Sequence, residues 1–75
     1  MKEEHLISRV GVLEMINHFG KNFKEWEIAK QYNPDTDEIW AWDSGGWQKL
    51  SGRAGYILIR NGEILEDTIK LTKMS

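Results

Sequence analysis

The chain has no cysteine and only one proline in 75 residues. Without cysteine there are no disulfides and no thiolate zinc site, the staples on which small secreted scaffolds rely. A reducing compartment, the cytoplasm, is the expected location. No apolar run approaches the ~18 residues that a membrane-spanning helix needs. The opening Met1-Lys2-Glu3-Glu4-His5 is acidic and has no secretory-leader layout. An excess of basic charge is also missing. The net charge is −2, which argues against a dedicated nucleic-acid binder, whose surface is basic.

Catalytic and metal-binding patterns are equally scarce. No G-x-S-x-G nucleophile elbow occurs. Ser44-Gly45-Gly46 and Ser51-Gly52-Arg53-Ala54-Gly55 contain glycines, but neither joins a strand to a helix as a phosphate loop must. Asn33-Pro34-Asp35-Thr36-Asp37-Glu38 places oxygen ligands at alternate positions. The glycine and the closing glutamate of a calcium loop are replaced there by Glu38 and Ser44, so the stretch reads as an acidic turn. His5 and His18 lie too far apart to chelate together. No enzyme, metal or cofactor is expected.

What is present fits one small α+β domain over residues 1–75. A chain this short buries about 60% of its unfolded surface and is marginally stable. Leu6, Val10, Leu13 and Ile16 recur at helical spacing, which predicts a helix over 3–19 ending at Gly20. Alternation of Trp26, Ile28 and Tyr32 with Glu25, Glu27 and Gln31 then predicts a strand near 24–32. Further strands are expected near 38–43, 47–50, 54–60 and 63–71. The fold class is therefore an N-terminal helix packed on a four- or five-stranded antiparallel β-meander. Its expected core is Leu6, Val10, Leu13, Ile16, Trp26, Ile28, Leu58, Leu65 and Ile69.

Arg60-Asn61-Gly62-Glu63 is the strongest local signal, a type I′ hairpin in which both central residues take positive φ. Such a turn fixes the register. Arg60 faces Glu63, Ile59 faces Ile64 and Leu58 faces Leu65; an unbroken ladder continues with Tyr56 to Asp67 and Ala54 to Ile69. One face then carries Ala54, Tyr56, Leu58, Leu65, Ile69 and Leu71, and the other Ile57, Ile59 and Ile64. One helix covers one face, so the isoleucine face needs a lid: a curled sheet, a second copy or a partner.

Four tryptophans are many for this length. Trp40 and Trp42 share one side of a strand. They serve either as core or as a recognition surface, since Trp and Arg anchor interfaces. Trp47 lies in a glycine-flanked turn near Lys49 and Arg53, within a stretch from Ser44 to Gly62 that has no acid. The expected binding set is Trp40, Trp42, Trp47, Lys49, Arg53, Ile57, Ile59 and Ile64. The expected function is a non-enzymatic protein-interaction module that binds another protein or its own copy as a homodimer. The alternative is a single-stranded nucleic-acid binder stacking bases on Trp40 and Trp42. Compact, acidic and tryptophan-rich, the chain is similar in general character to short accessory proteins of phage and mobile elements, a likeness of size and composition only.

Overall fold

The computed structural model describes residues 5–45 and 52–74. Their order is β1 (Leu6–Val10), α1 (Val12–Phe19), a 3₁₀ helix (Gly20–Glu25), α2 (Glu27–Gln31), β2 (Asp37–Asp43), β3 (Arg53–Arg60) and β4 (Glu63–Met74). The strands form one open antiparallel sheet in the order β1-β2-β3-β4. The helical segments pack on one face, as the α+β reading expected. Among the described residues no helix is long and apolar enough to cross a membrane.

Two elements differ from expectation. The helix expected over 3–19 is a strand followed by a shorter helix. Gly11 separates them, extended at φ −84° and ψ 153° at the helix start. Leu6 and Val10 fit a four-residue helical step, but with Ser8 they also fit a two-residue strand period. Pairing with β2 decides for the strand, setting Val10 against Ile39 and Arg9 against Trp40. The helix therefore starts later and turns Val12, Met15, Ile16 and Phe19 toward the sheet. Leu13, expected in the core, is 75% exposed.

The strand expected at 24–32 is the 3₁₀ helix followed by α2. Phe23 and Trp26 are buried three residues apart, the step of a 3₁₀ turn. Glu27, Ala29, Lys30 and Gln31 are good helix formers. The apparent alternation of Trp26 and Ile28 joins an extended cap residue to a residue inside α2. The possible strand at 47–50 lies outside the described residues.

The hairpin forms as its turn residues require. Asn61 has φ 51° and Gly62 φ 83°, and Arg60↔Glu63, Ile59↔Ile64 and Leu58↔Leu65 pair. Beyond Leu58 the unbroken ladder fails. Tyr56 pairs with Lys70, not Asp67, and Ala54 with Lys73, not Ile69. The cause is Thr68, whose buried hydroxyl donates to the Leu65 carbonyl at 2.6 Å and accepts from the Leu58 N–H at 3.0 Å. A side chain stands in for a backbone partner, so Glu66–Ile69 on β4 oppose Ile57 alone. Gly55 follows on β3, where a Cβ would run into the Lys70 carbonyl. Only glycine permits that approach.

The main core comprises Met15, Phe23, Trp26, Ile28, Ile39 and Leu58, with Val10, Ile16 and Leu65 partly buried against it. Ile69, expected there, is displaced outward by the bulge and exposed.

One polar cluster ties the helical layer to the sheet. Arg60 Nε donates to Asp37 Oδ1 at 2.8 Å, and Nη2 donates to Asp37 Oδ2 at 2.9 Å and to the Gln31 carbonyl at 3.0 Å. Thr36 and the Asn33 N–H also donate to Asp37. The Arg60 hydrogen bonds, more than offsetting the opposing effect of burial, hold the Asp37 carboxyl well below its ordinary 3.8; Thr36 and Asn33 add to this. A carboxyl depressed on folding contributes stability above the unfolded value that is lost as pH falls toward the folded one. The Tm of the native chain should thus be flat near neutrality and fall below about pH 4. Asp37→Asn should lower Tm at neutral pH, with a gap to the native chain that closes on acidification. A gap that stayed constant to the acid limit would contradict this.

Candidate interaction site

The expected binding residues separate into three groups. Trp47 and Lys49 lie outside the described residues. Trp40, Trp42, Ile57, Ile59 and Ile64 share the sheet face away from the helices, as register requires: Ile39↔Leu58 belongs to the helix face, and Trp40↔Ile57 and Glu38↔Ile59 to the other. Three of them are closed off within a single copy: Trp42 is 5%, Ile57 0% and Ile59 8% exposed. Trp40 and Ile64 are half-buried and Arg53 is exposed. Strand parity fixes the face a residue occupies and says nothing of what covers it.

Trp40 has its indole N–H engaged by Glu38 at 3.0 Å, and Arg9 lies 3.6 Å from the same carboxylate. Trp42 has a buried indole N–H with no hydrogen-bond partner among the described residues. Trp42, enclosed, offers no free face for stacking. Among the described residues no group of three His, Asp or Glu side chains could hold a metal.

The structure opens elsewhere. Gly20, at φ 61°, ends α1 and turns the chain into the 3₁₀ helix, while its N–H closes on the Ile16 carbonyl. This turn carries Phe19, Glu25 and Trp26 along one wall of a groove. The other wall is β4 from Thr68 to Thr72. The groove has a volume of about 660 Å³, within the usual range for binding clefts. Phe19 and Trp26 give that wall and the floor an aromatic lining, their ring centroids 4.8 Å apart. Lys70 folds over the Trp26 ring at 5.3 Å, within cation–π range. Ile69 and Leu71, 38% and 41% exposed, belong to the same strand but project from the sheet face opposite Lys70.

β4 is the last strand of the sheet, so its outer edge carries no strand among the described residues. At 12 residues it is long for an edge strand. These groove residues were missed because unbroken alternation assigned Ile69 and Leu71 to the core face. The available signal was the length of the run from Glu63 to Met74, which outlasts β3.

Comparison with protein-family models, curated proteins and solved structures finds no match to this chain.

The Trp42 N–H, without an acceptor among the described residues, has an energetic consequence. A buried donor without an acceptor costs about 1–3 kcal/mol. In Trp42→Phe, the lost ring area is offset by removal of that donor. The denaturation midpoint should shift by less than about 1 kcal/mol equivalent, against the several kcal/mol usual for core truncation. A loss near 3 kcal/mol would show that the indole N–H is satisfied.

Proposed function

We propose that the chain is a non-enzymatic protein-interaction module that receives an extended segment along the outer edge of β4. The observation that supports this most directly is β4, Glu63–Met74, at the end of the sheet with no strand on its outer side among the described residues, and with Ile69 and Leu71 exposed beside an aromatic-floored groove. An edge strand offers backbone N–H and C=O groups to an incoming strand, and the flanking groove supplies side-chain pockets. β1, at the opposite edge, is five residues long and bulged between Leu6 and Ser8, a poorer template. The lack of cysteine favours work in the cytoplasm. Nucleic-acid stacking is the weaker reading, because Trp42 is enclosed and Trp40 is bonded to an acid.

Photo-crosslinking residues placed at 69 and 71 should yield discrete higher-mass adducts in cells. The same residue at 13, exposed on α1 away from the groove, should yield none. Absence of adducts at 69 and 71, or identical adducts from 13, would overturn the reading. Single-stranded oligonucleotide should leave the tryptophan emission unchanged; salt-sensitive quenching would favour the stacking alternative.

A further inference from the structure

We infer that the hairpin tip is a self-modifying site: Asn61 loses its side-chain amide to the backbone nitrogen of Gly62, and the rearranged product loosens the hold of Arg60 on Asp37. This site is separate from the groove beside β4. The chain has four asparagines, Asn17, Asn22, Asn33 and Asn61. Asn61 alone is followed by a residue with no side chain to hinder approach to its nitrogen. Asn61 and Gly62 are both exposed, and a Cβ placed on Gly62 would meet nothing within 4 Å. Neither the Asn61 side-chain amide nor the Gly62 N–H makes a hydrogen bond among the described residues. Both reacting groups are therefore open and unengaged. The other asparagines are placed differently. Asn17 lies inside α1, where the next N–H belongs to the helix ladder. Asn22 precedes the buried Phe23 in the 3₁₀ helix. Asn33 is followed by Pro34, which has no N–H, and its side-chain oxygen accepts from the Asp35 N–H at 3.0 Å.

The chemistry needs only water. The Gly62 nitrogen, as it gives up its proton, attacks the Asn61 side-chain carbonyl carbon. A C–N bond forms, the bond to the side-chain nitrogen breaks, and that nitrogen leaves with the proton as ammonia. The product is a cyclic imide, which water opens at one of its carbonyls. Opening at the side-chain carbonyl gives aspartate on an unaltered main chain. Opening at the main-chain carbonyl gives an isoaspartyl link, in which the chain runs through the former side chain and is one carbon longer. The two outcomes differ for the fold. Aspartate also tolerates the left-handed conformation that Asn61 holds at φ 51°. The isoaspartyl link lengthens a two-residue turn whose length sets the register. The neighbouring Arg60 pairs with Glu63 across that turn and donates to both Asp37 oxygens. The Asn61 N–H also donates to the Thr36 carbonyl at 3.0 Å, so the tip rests on the turn that closes on Asp37. A longer tip displaces the pair that carries the fork.

Incubation of the folded chain in mildly alkaline buffer, followed by pepsin digestion in acid and mass spectrometry, tests this. Asn61 should gain the mass of amide-to-acid conversion several times faster than Asn17 or Asn22. Conversion should be slower at neutral pH, because the attacking nitrogen must lose its proton. Chromatography separates the aspartyl and isoaspartyl products. The isoaspartyl chain should melt below the native chain, whereas Asn61→Asp, which stands for the other product, should melt close to it. Gly62→Asn, a residue that tolerates positive φ but carries a Cβ, should convert at Asn61 several times more slowly. Circular dichroism confirms that each variant is folded. Should Gly62→Asn unfold the chain, the comparison of Asn61 with Asn17 and Asn22 in the native chain decides. Conversion at Asn61 no faster than at those two would overturn the site. An isoaspartyl chain with the native Tm would overturn the loosening of the fork.

Discussion

The fork between Arg60 and Asp37 is the constraint on which the rest of the architecture depends. It joins the first residue of β2 to the last of β3, a directly opposed cross-strand pair. Through the Gln31 carbonyl it also holds the end of α2. The Asn33–Thr36 turn closes on the same carboxylate. An ion pair whose carboxylate is buried is a weak source of net stability, because desolvation offsets the attraction. It is a strong constraint on arrangement, since any structure that separates the two leaves a carboxylate enclosed without a partner. Here that constraint sets where α2 lies on the sheet, and therefore that Ile28 and Trp26 enter the core.

From that anchor the groove follows. Asn61-Gly62 closes the hairpin just beyond Arg60, and the next β4 residues pair regularly. Thr68 then interrupts the ladder, and the bulge carries Ile69 outward instead of inward. Gly55 lets the Lys70 backbone come close, so Lys70 can fold over Trp26. One hydroxyl and one missing Cβ thus convert what would be a core-facing run into an exposed edge beside an aromatic floor.

How much of this was legible in the sequence depends on whether each feature is local. The hairpin was readable, because positive φ at Asn61 and Gly62 is a property of those two residues. The sheet and its meander order followed from it. The split of residues 3–19 into strand and helix was not readable: Leu6 and Val10 satisfy two periods, and only the tertiary pairing with β2 chooses. The segment at 24–32 misled in the same way, since the end of a 3₁₀ helix and a short α-helix reproduced an alternation. At the site, parity grouped Trp40 with Trp42, and Ile57 with Ile59 and Ile64; the pairing of β2 with β3 brings the two groups onto one face, and burial of three of them depends on contacts that parity does not encode. Ile69 and Leu71 were misplaced because the Thr68 bulge is a tertiary hydrogen bond, invisible to any count along the strand.

The most direct measurement is a double-variant cycle on Asp37 and Arg60, read by denaturation midpoint. If the fork organises the fold, Asp37→Ala and Arg60→Ala each lower stability, and combining them costs little beyond the Asp37 change alone. Losses that simply add would show that the two side chains act independently, and would contradict the role given to them here.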